Sequence, residues 1–460
     1  MIQRVHFIGV GGIGMSALAQ YYLARGWRVS GSDVARSEIT DDLKRRGVKI
    51  FIGQKAKNVR DAELVIYSAA IKSNNPELAA VLKSGVQTKS YAQAVGELTK
   101  KYYTIAISGS HGKSTTTALI GLILIKAGLD PTIIVGTKLK ELGGCNFRLG
   151  KSKYLVLEAD EYARSFHNYF PKIAVITNID KEHLDTYKNL KGVLTGFRIY
   201  LKNVSDYIVA NREDENIRKI IKSPSFATPP HKASEVHSKA TKGEQNPKPK
   251  IIWYKMGSYK LLIPGIHNQF NAEAAWQTVK LLGVKKSAAE KVFKSYRGAW
   301  RRMELLATSD KRQVTRKGDK NHVSCLMSHV TIYSDYAHHP TEIRVTLQAL
   351  KEKYHGKKIV CIFQPHQQDR LTRLFKEFAQ AFRQADKTIL YPLYKVKGRD
   401  VKGKTSEDLS KAIKQANVYY TDGFKALTRL IKPDLKSKSV IVFMSAGDLD
   451  GKARQYFGAR

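Results

Sequence analysis

Lys113 stands directly before Ser114 in the stretch SGSHGKSTTT, residues 108–117, and a lysine beside a hydroxyl residue after a glycine turn suits phosphate chemistry. The ammonium can neutralise the β and γ oxygens of a triphosphate and the hydroxyl can ligate Mg2+. Backbone N–H groups of the turn and of the helix behind it can cradle the phosphates. The spelling is short: the usual loop reads G-x-x-x-x-G-K-[ST], and Ile107 holds the place of its first glycine. A strand-like run, YYTIAIS, leads in and a helical pattern leads out. The spacing therefore predicts a phosphate-binding loop formed by Gly109, Ser110, His111, Gly112, Lys113, Ser114 and Thr115.

A metal beside a triphosphate needs ligands beyond one serine, and the next two strand-like runs end on them. YLVLEAD closes with Glu158 and Asp160, followed by Glu161; KIAVITN is followed by His183 and Asp185. Mg2+ next to phosphates takes one or two carboxylates and keeps waters, so Glu158 is the expected partner of Ser114. His183 is expected to ligate a second ion or to act as a base. All of these positions fall at the carboxyl ends of strands, where α/β sheets bind ligands.

Two further stretches carry chemistry-bearing residues. Gly9-Val10-Gly11-Gly12-Ile13-Gly14 lies between a strand and a helix, with Asp33 at the end of the next strand. Read by itself, this fingerprint is open to NAD, to FAD, or to a tight turn. In Asp335-Tyr336-Ala337-His338-His339-Pro340, Asp335 can hold a ribose or a metal shell, Tyr336 can lie against a base, and the histidines can meet phosphate or sit on a surface turn.

The elements that must position these residues alternate, strand-like run then helical pattern, from the start of the chain. This predicts α/β domains with parallel sheets and crossover helices. The 460 residues suffice for two to four domains. Boundaries are expected at 1–98, 99–300 and 301–460, the last segment repeating the alternation in HVTIYSDYA, KKIVCIF, KTILYPLY and SVIVFMSAG. HNQFNAEAAWQTVKLLG has helical periodicity. The stretch from Ser223 to Lys250 is rich in proline and poor in apolar residues, and Ser309 to His322 is polar and basic, so both are expected as surface excursions.

A net charge of +39 raises the question of nucleic acid. The lysines are spread through every segment and no nucleic-acid module organises them, so no nucleic-acid partner is expected. No run of apolar residues long enough to span a bilayer is present, which predicts no membrane partner and a cytoplasmic location. Cys145, Cys325 and Cys361 have no paired spacing and are expected to pack.

The set GxGGxG, GSHGKSTTT, EADE, TNIDKEHLDTY, HNxxNAxAA, RR and DYAHHPTEI, in this order, resembles the Mur ligase family of peptidoglycan synthesis. The likeness extends to SAAIKSNNPE, IFQPHQQDRLTRLF and SAGDLDGKAR. It implies three domains: Rossmann-like and UDP-binding, P-loop ATPase-type, and a Rossmann-like C-terminal domain. It also implies an ATP- and Mg2+-dependent ligase joining L-alanine to UDP-N-acetylmuramate through an acyl phosphate. By motif position, Gly9, Gly11, Gly12, Gly14, Ser32, Asp33 and Ser68 would surround the UDP-sugar. The 109–115 loop, His267, Asn268, Asn271, Arg302 and Asp335 would hold ATP, and Ser114, Glu158 and His183 the metal. Lys113, His183, Arg302, His338 and His339 would serve catalysis. Tyr162, where an alanine-adding member usually has serine, keeps a tripeptide-adding activity open, and a non-catalytic nucleotide-sugar or nucleic-acid binding protein is the alternative from another class.

Overall fold

Three sheets organise the residues described by the computed structural model, 3–223, 248–308, 329–394 and 403–457. Most of the Ser223–Lys250 stretch, the Ser309–His322 stretch and Cys325 lie outside the described residues, as does the side chain of Asp185. Among the described residues no helix is long and apolar enough to cross a membrane.

The first sheet has five parallel strands in the order Lys49–Ile52, Arg28–Asp33, Arg4–Ile8, Leu64–Tyr67, Gln87–Ser90. Val5, Phe7, Ile8, Val65 and Ile66 are buried in and beside its two central strands, as expected of a sheet covered on both faces. The glycine turn leads from Arg4–Ile8 into the helix Ile13–Ala24.

The second sheet has seven strands, with Tyr103–Ser108 at its centre between Ile173–Ile176 and Tyr154–Glu158. Tyr207–Asn211 and Lys250–Tyr254 extend one side, and Thr132–Leu139 and Cys145–Arg148 the other. The outermost pair, Thr132–Leu139 with Cys145–Arg148, is antiparallel. This departs from the all-parallel expectation: the connection is one short 3-10 turn closed by Gly143 and Gly144, both at positive φ, which makes a hairpin and leaves no room for a crossover helix. These two sheets share one compact unit. Inside it Gln20 of the helix Ile13–Ala24 donates to Asn146 at 2.8 Å, and Asn146 donates to the Ile13 carbonyl at 2.6 Å.

The third sheet belongs to a second compact unit, which includes Tyr296–Arg460. Its order is Glu304–Thr308, Thr331–Asp335, Ser439–Ser445, Lys358–Gln364, Lys387–Leu390, Val418–Tyr420, parallel except for the first strand. Cys361 packs in its core, whereas Cys145 lies nearer the surface, 3.1 Å from the Arg46 guanidinium.

Candidate active site

The glycine loop expected to bind phosphate starts where the central strand Tyr103–Ser108 ends. Gly109 has φ +132° and Gly112 φ +84°, conformations that a side chain opposes. Added Cβ atoms would lie 2.1 Å from Thr177 Oγ1 and 2.3 Å from Asn271 Oδ1 respectively, so the loop is closed in around both glycines. The neighbouring strand's loop stitches it in place. Ser110 N donates to Asn178 O at 3.0 Å, His111 N to Asn178 Oδ1 at 2.9 Å, and Asp180 N to Ser110 Oγ at 2.8 Å. His111 Nε2 lies 3.4 Å from Asp180. The helix Lys113–Lys126 then begins with no side-chain cap on its N-terminus, the end that attracts anions.

Lys113 is folded into this loop. Its Nζ donates to Gly109 O at 2.7 Å and to Glu161 at 2.9 and 3.1 Å, with Asp160 at 3.8 Å. Glu161 is fully buried, so Lys113 supplies its countercharge. Burial works against the lysine's charge, but the Glu161, Asp160 and Glu158 carboxylates hold its pKa above the ordinary lysine value. Ser114 Oγ donates to Glu158 at 3.0 Å, and the other Glu158 oxygen accepts from Gly136 N at 2.7 Å. A Cβ on Gly136 would lie 2.7 Å from Glu158 Oε1, so this glycine lets the carboxylate lie against the backbone.

His183 lies elsewhere in the cluster than the sequence pairing with Glu158 suggests. Its Nε2 is 3.6 Å from Glu161 and 3.8 Å from Asp160, and these three residues are close enough to share one ion. The Tyr162 ring packs 5.2 Å from the imidazole. His183, Ala163 and Arg164 all have positive φ, between +50° and +58°, a concentration of backbone strain typical of functional loops. Sequence reasoning offered Glu161 only as one of three carboxylates near a metal; its burial against Lys113 depends on residues far apart in the chain.

Asn271 lies 3.3 Å from Thr116 Oγ1, on the same unit as the loop, and Thr115 lies in the first helical turn. On the other unit, Asn268 donates to the Pro264 carbonyl at 2.6 Å and His267 lies beside Gly265. That unit also carries the C-terminal candidates. Asp335 is buried and accepts from Met303 N at 2.7 Å and Ala337 N at 2.8 Å; burial pushes its carboxyl up to about 6. Arg302 lies over the Tyr336 ring at 5.3 Å and 3.5 Å from Glu342. Its neighbour Arg301 turns away to bind Asp450 at 2.6 Å, so the two arginines of the RR pair do different work. His338 Nδ1 lies 3.1 Å from Glu342 and 3.0 Å from Tyr336 O. His339 uses its Nδ1 to cap the helix Pro340–Lys353, accepting from Thr341 N at 3.3 Å.

In the first sheet Gly9, at φ +82°, and Val10 both donate to the Ser32 carbonyl, at 2.8 and 3.0 Å, and Gly11 donates to Asp33 Oδ2 at 2.8 Å. Gly14 leaves space for Tyr91, whose hydroxyl would lie 2.8 Å from an added Cβ, and Gly12 precedes the helix as its N-cap. Ser68 N donates to Ile8 O at 3.1 Å, beside Gly9. The residues expected around a UDP-sugar therefore share one strand-end loop system.

Three family models match consecutive stretches: Mur ligase family, catalytic domain, over residues 4–103; Mur ligase middle domain over 107–279; and Mur ligase, glutamate ligase domain, over 301–447. A UDP-N-acetylmuramate–L-alanine ligase of Alkaliphilus metalliredigens is 35% identical, covering 97% of this chain and 95% of its own length. One from Aquifex aeolicus is 36% identical, covering 97% and 96%. Among solved structures, a UDP-N-acetylmuramate-alanine ligase from Thermotoga maritima matches with a TM-score of 0.78 at 25% identity, covering 99% of this chain and 98% of that one. A murein peptide ligase from Psychrobacter arcticus shares the fold with a TM-score of 0.67 at 22% identity, over 99% and 98%.

Proposed function

Because the chain belongs to the Mur ligase family, we propose that it joins L-alanine to the lactyl carboxylate of UDP-N-acetylmuramate at the expense of ATP, a step of peptidoglycan precursor synthesis. The observation that carries this reading is the seating of Lys113 and Ser114 against Glu161 and Glu158 in a glycine loop at the centre of the second sheet. The full-length relatives that act on UDP-N-acetylmuramate and L-alanine support the choice of substrates.

A carboxylate is a poor electrophile, so it must be activated before an amine can attack it. In this reading a lactyl oxygen attacks the γ-phosphorus of ATP, the bond to the β-γ bridging oxygen breaks, and ADP leaves. The neutral amine of L-alanine then attacks the acyl phosphate carbon, phosphate departs with the C–O bond electrons, and the nitrogen gives up one proton to a base. Phosphoryl transfer asks mainly for positioning and charge neutralisation. Lys113 would exchange its carboxylate partner for β and γ oxygens, the backbone N–H groups at the uncapped start of the helix Lys113–Lys126 would hold the phosphates, and Arg302 would meet the developing charge. Asn271, His267, Asn268 and Asp335 are assigned to the nucleoside.

The donor set suits Mg2+: a hydroxyl and a carboxylate oxygen at Ser114 and Glu158, with the hard oxygen donors of Asp160 and Glu161 nearby. Ser114, Glu158 and His183 would hold divalent ions, which supply charge neutralisation at the phosphates when bound. The first sheet's glycine turn would hold the UDP diphosphate, with Ser32, Asp33 and Ser68 around it. Domain boundaries are placed at residues 98 and 300.

Phosphate release from Mg-ATP with UDP-N-acetylmuramate, offering L-alanine, glycine, L-serine and the L-Ala-γ-D-Glu-diamino acid tripeptide in parallel, tests the reading, with product mass measured. Release that needs both the sugar nucleotide and L-alanine, with the alanyl adduct formed, is expected. Release with the tripeptide alone would replace the proposed amino acid, and no release with any acceptor would remove the ligase reading.

A further inference from the structure

Glu77, in the SNNPE stretch, is a fully buried carboxylate far from the phosphate chemistry, and nothing described so far uses it. It heads the helix Pro76–Ser84, yet its side chain points into the first sheet. The Ser32 hydroxyl donates to Glu77 Oε2, Asn58 Nδ2 donates to Oε1 at 2.6 Å, and Lys55 N donates to Oε1 at 3.2 Å. His6 Nε2 faces Oε2 at 3.7 Å, and its Nδ1 lies 2.9 Å from Ser30 Oγ. Burial alone would push this carboxyl up, but the facing His6 imidazole and the hydrogen bonds from Ser32 and Asn58 bring it below the ordinary glutamate value, so it is a charged group in a dry place.

A buried charge with this many donors fixes each of them. Ser32 matters most, because its carbonyl accepts from both Gly9 and Val10, and the next residue, Asp33, accepts from Gly11. One residue thus joins Glu77 on its side chain to the start of the glycine turn on its backbone. Asn58 adds a second tie, donating to Gly53 O at 3.1 Å while Gly53 N donates to Asp33 O at 2.8 Å.

We propose that Glu77 is a positioning residue for sugar-nucleotide binding, acting through Ser32 to hold the glycine turn Gly9–Gly14 in its diphosphate-binding shape. The proposal rests on the reading of that turn as the UDP-sugar site. Glu77→Gln is the informative change, because an amide offers one acceptor oxygen and two donors where the carboxylate offers only acceptors: either its NH2 meets the Asn58 and Lys55 donors, or it faces Ser32, whose hydroxyl must turn from donor to acceptor, and in both cases the charge is lost.

The test uses the full chain. Binding of UDP-N-acetylmuramate and of Mg-ATP is measured by calorimetry, alongside KM for each of the three substrates and kcat, for wild type, Glu77→Gln, Asn58→Ala and Glu77→Gln/Asn58→Asp. Glu77→Gln is expected to weaken UDP-N-acetylmuramate binding and raise its KM about tenfold, the scale of one lost charge-assisted hydrogen bond. Binding of ATP, KM for ATP and L-alanine, and kcat should stay within about twofold. Restoring a carboxylate at position 58 should recover part of the sugar-nucleotide affinity. Should Glu77→Gln fail to fold, Asn58→Ala carries the test with a smaller rise of the same selectivity. Equal losses for all substrates, or unchanged sugar-nucleotide affinity in Glu77→Gln while the wild type turns over, would overturn the positioning role alone. A wild type that binds UDP-N-acetylmuramate selectively through Glu77 without forming product would remove the ligase reading and keep the positioning role. A wild type that neither binds nor uses it would remove both.

Discussion

Replacing Lys113 by methionine separates two roles of one ammonium group, balancing a buried carboxylate and meeting phosphate. Methionine keeps the lysine's reach without its charge, so Lys113→Met leaves Glu161, fully buried and previously paired at 2.9 Å, beside Asp160 with only the His183 imidazole, 3.6 Å away, to oppose its charge. Removing one member of a buried pair costs about 3–5 kcal/mol. Part of this is offset when Glu161 takes up a proton. Burial already raises its pKa, and loss of the lysine removes an opposing influence, so the folded variant binds a proton that the unfolded chain has released. The variant's stability is then greatest at low pH and falls as pH rises, by at most about 1.4 kcal/mol per pH unit. Calorimetric unfolding near pH 6 and near pH 8.5 should show a gap from wild type that is wider at the higher pH. Lys113→Met/Glu161→Gln has no orphaned charge and should recover most of the lost stability at both pH values. Neither variant should release phosphate from ATP above background, because neither can neutralise the triphosphate. A single variant as stable as wild type at the higher pH, or a double variant that regains turnover, would refute this account.

Three further outcomes follow from the geometry. Gly112→Ala places a Cβ 2.3 Å from Asn271 Oδ1 at φ +84°; a left-handed cost of about 1–2 kcal/mol plus displacement of Asn271 should raise KM for ATP about tenfold, with UDP-N-acetylmuramate affinity as the unaffected control. Asp335, pushed up to about 6, gives stability that is complete below its unfolded pKa and lost as pH rises through about 6; against Asp335→Asn, wild type should lose up to ~3 kcal/mol between about pH 4 and pH 7, and a flat difference in unfolding midpoint would contradict the burial argument. Ser114→Ala removes the hydroxyl 3.0 Å from Glu158 and should raise the Mg2+ concentration for half-maximal turnover at least ~10-fold, read from a Mg2+ titration at saturating substrates.

What the sequence disclosed follows from how local the determinants are. The loop at Gly109–Ser114 was legible because strand, glycines, lysine and helix are contiguous, and the same holds for the glycine turn after Ile8. The antiparallel edge Thr132–Leu139 with Cys145–Arg148 was not, because a hairpin and a crossover both begin as an apolar run, and only the short connection tells them apart. Within EADE, four neighbouring positions offer three carboxylates, and their division of labour depends on residues far along the chain: Gly136 takes Glu158, while Lys113 takes Glu161. Glu77 was hidden for the same reason, since Ser32, Asn58 and His6 reach it from separate elements. Of the doubled arginine the sequence analysis used only Arg302; the part played by Arg301 was not legible, because it reaches Asp450 from the far end of the chain while Arg302 lies against Tyr336.

The central place of Tyr103–Ser108 in its sheet also sets a timetable for the protein's birth on the ribosome. Both strands that flank it, Tyr154–Glu158 and Ile173–Ile176, come later in the chain, and the loop that stitches the phosphate turn, Thr177 to Asp180, comes later still. At roughly 5–20 residues per second, the nascent glycine turn waits about 3–14 s for its second neighbour. The first sheet ends at Ser90 and is complete before that wait begins. Synthesis therefore delivers the two glycine loops in order, the turn after Ile8 first and the Gly109–Ser114 loop only after a delay in which an apolar strand stands without its partners.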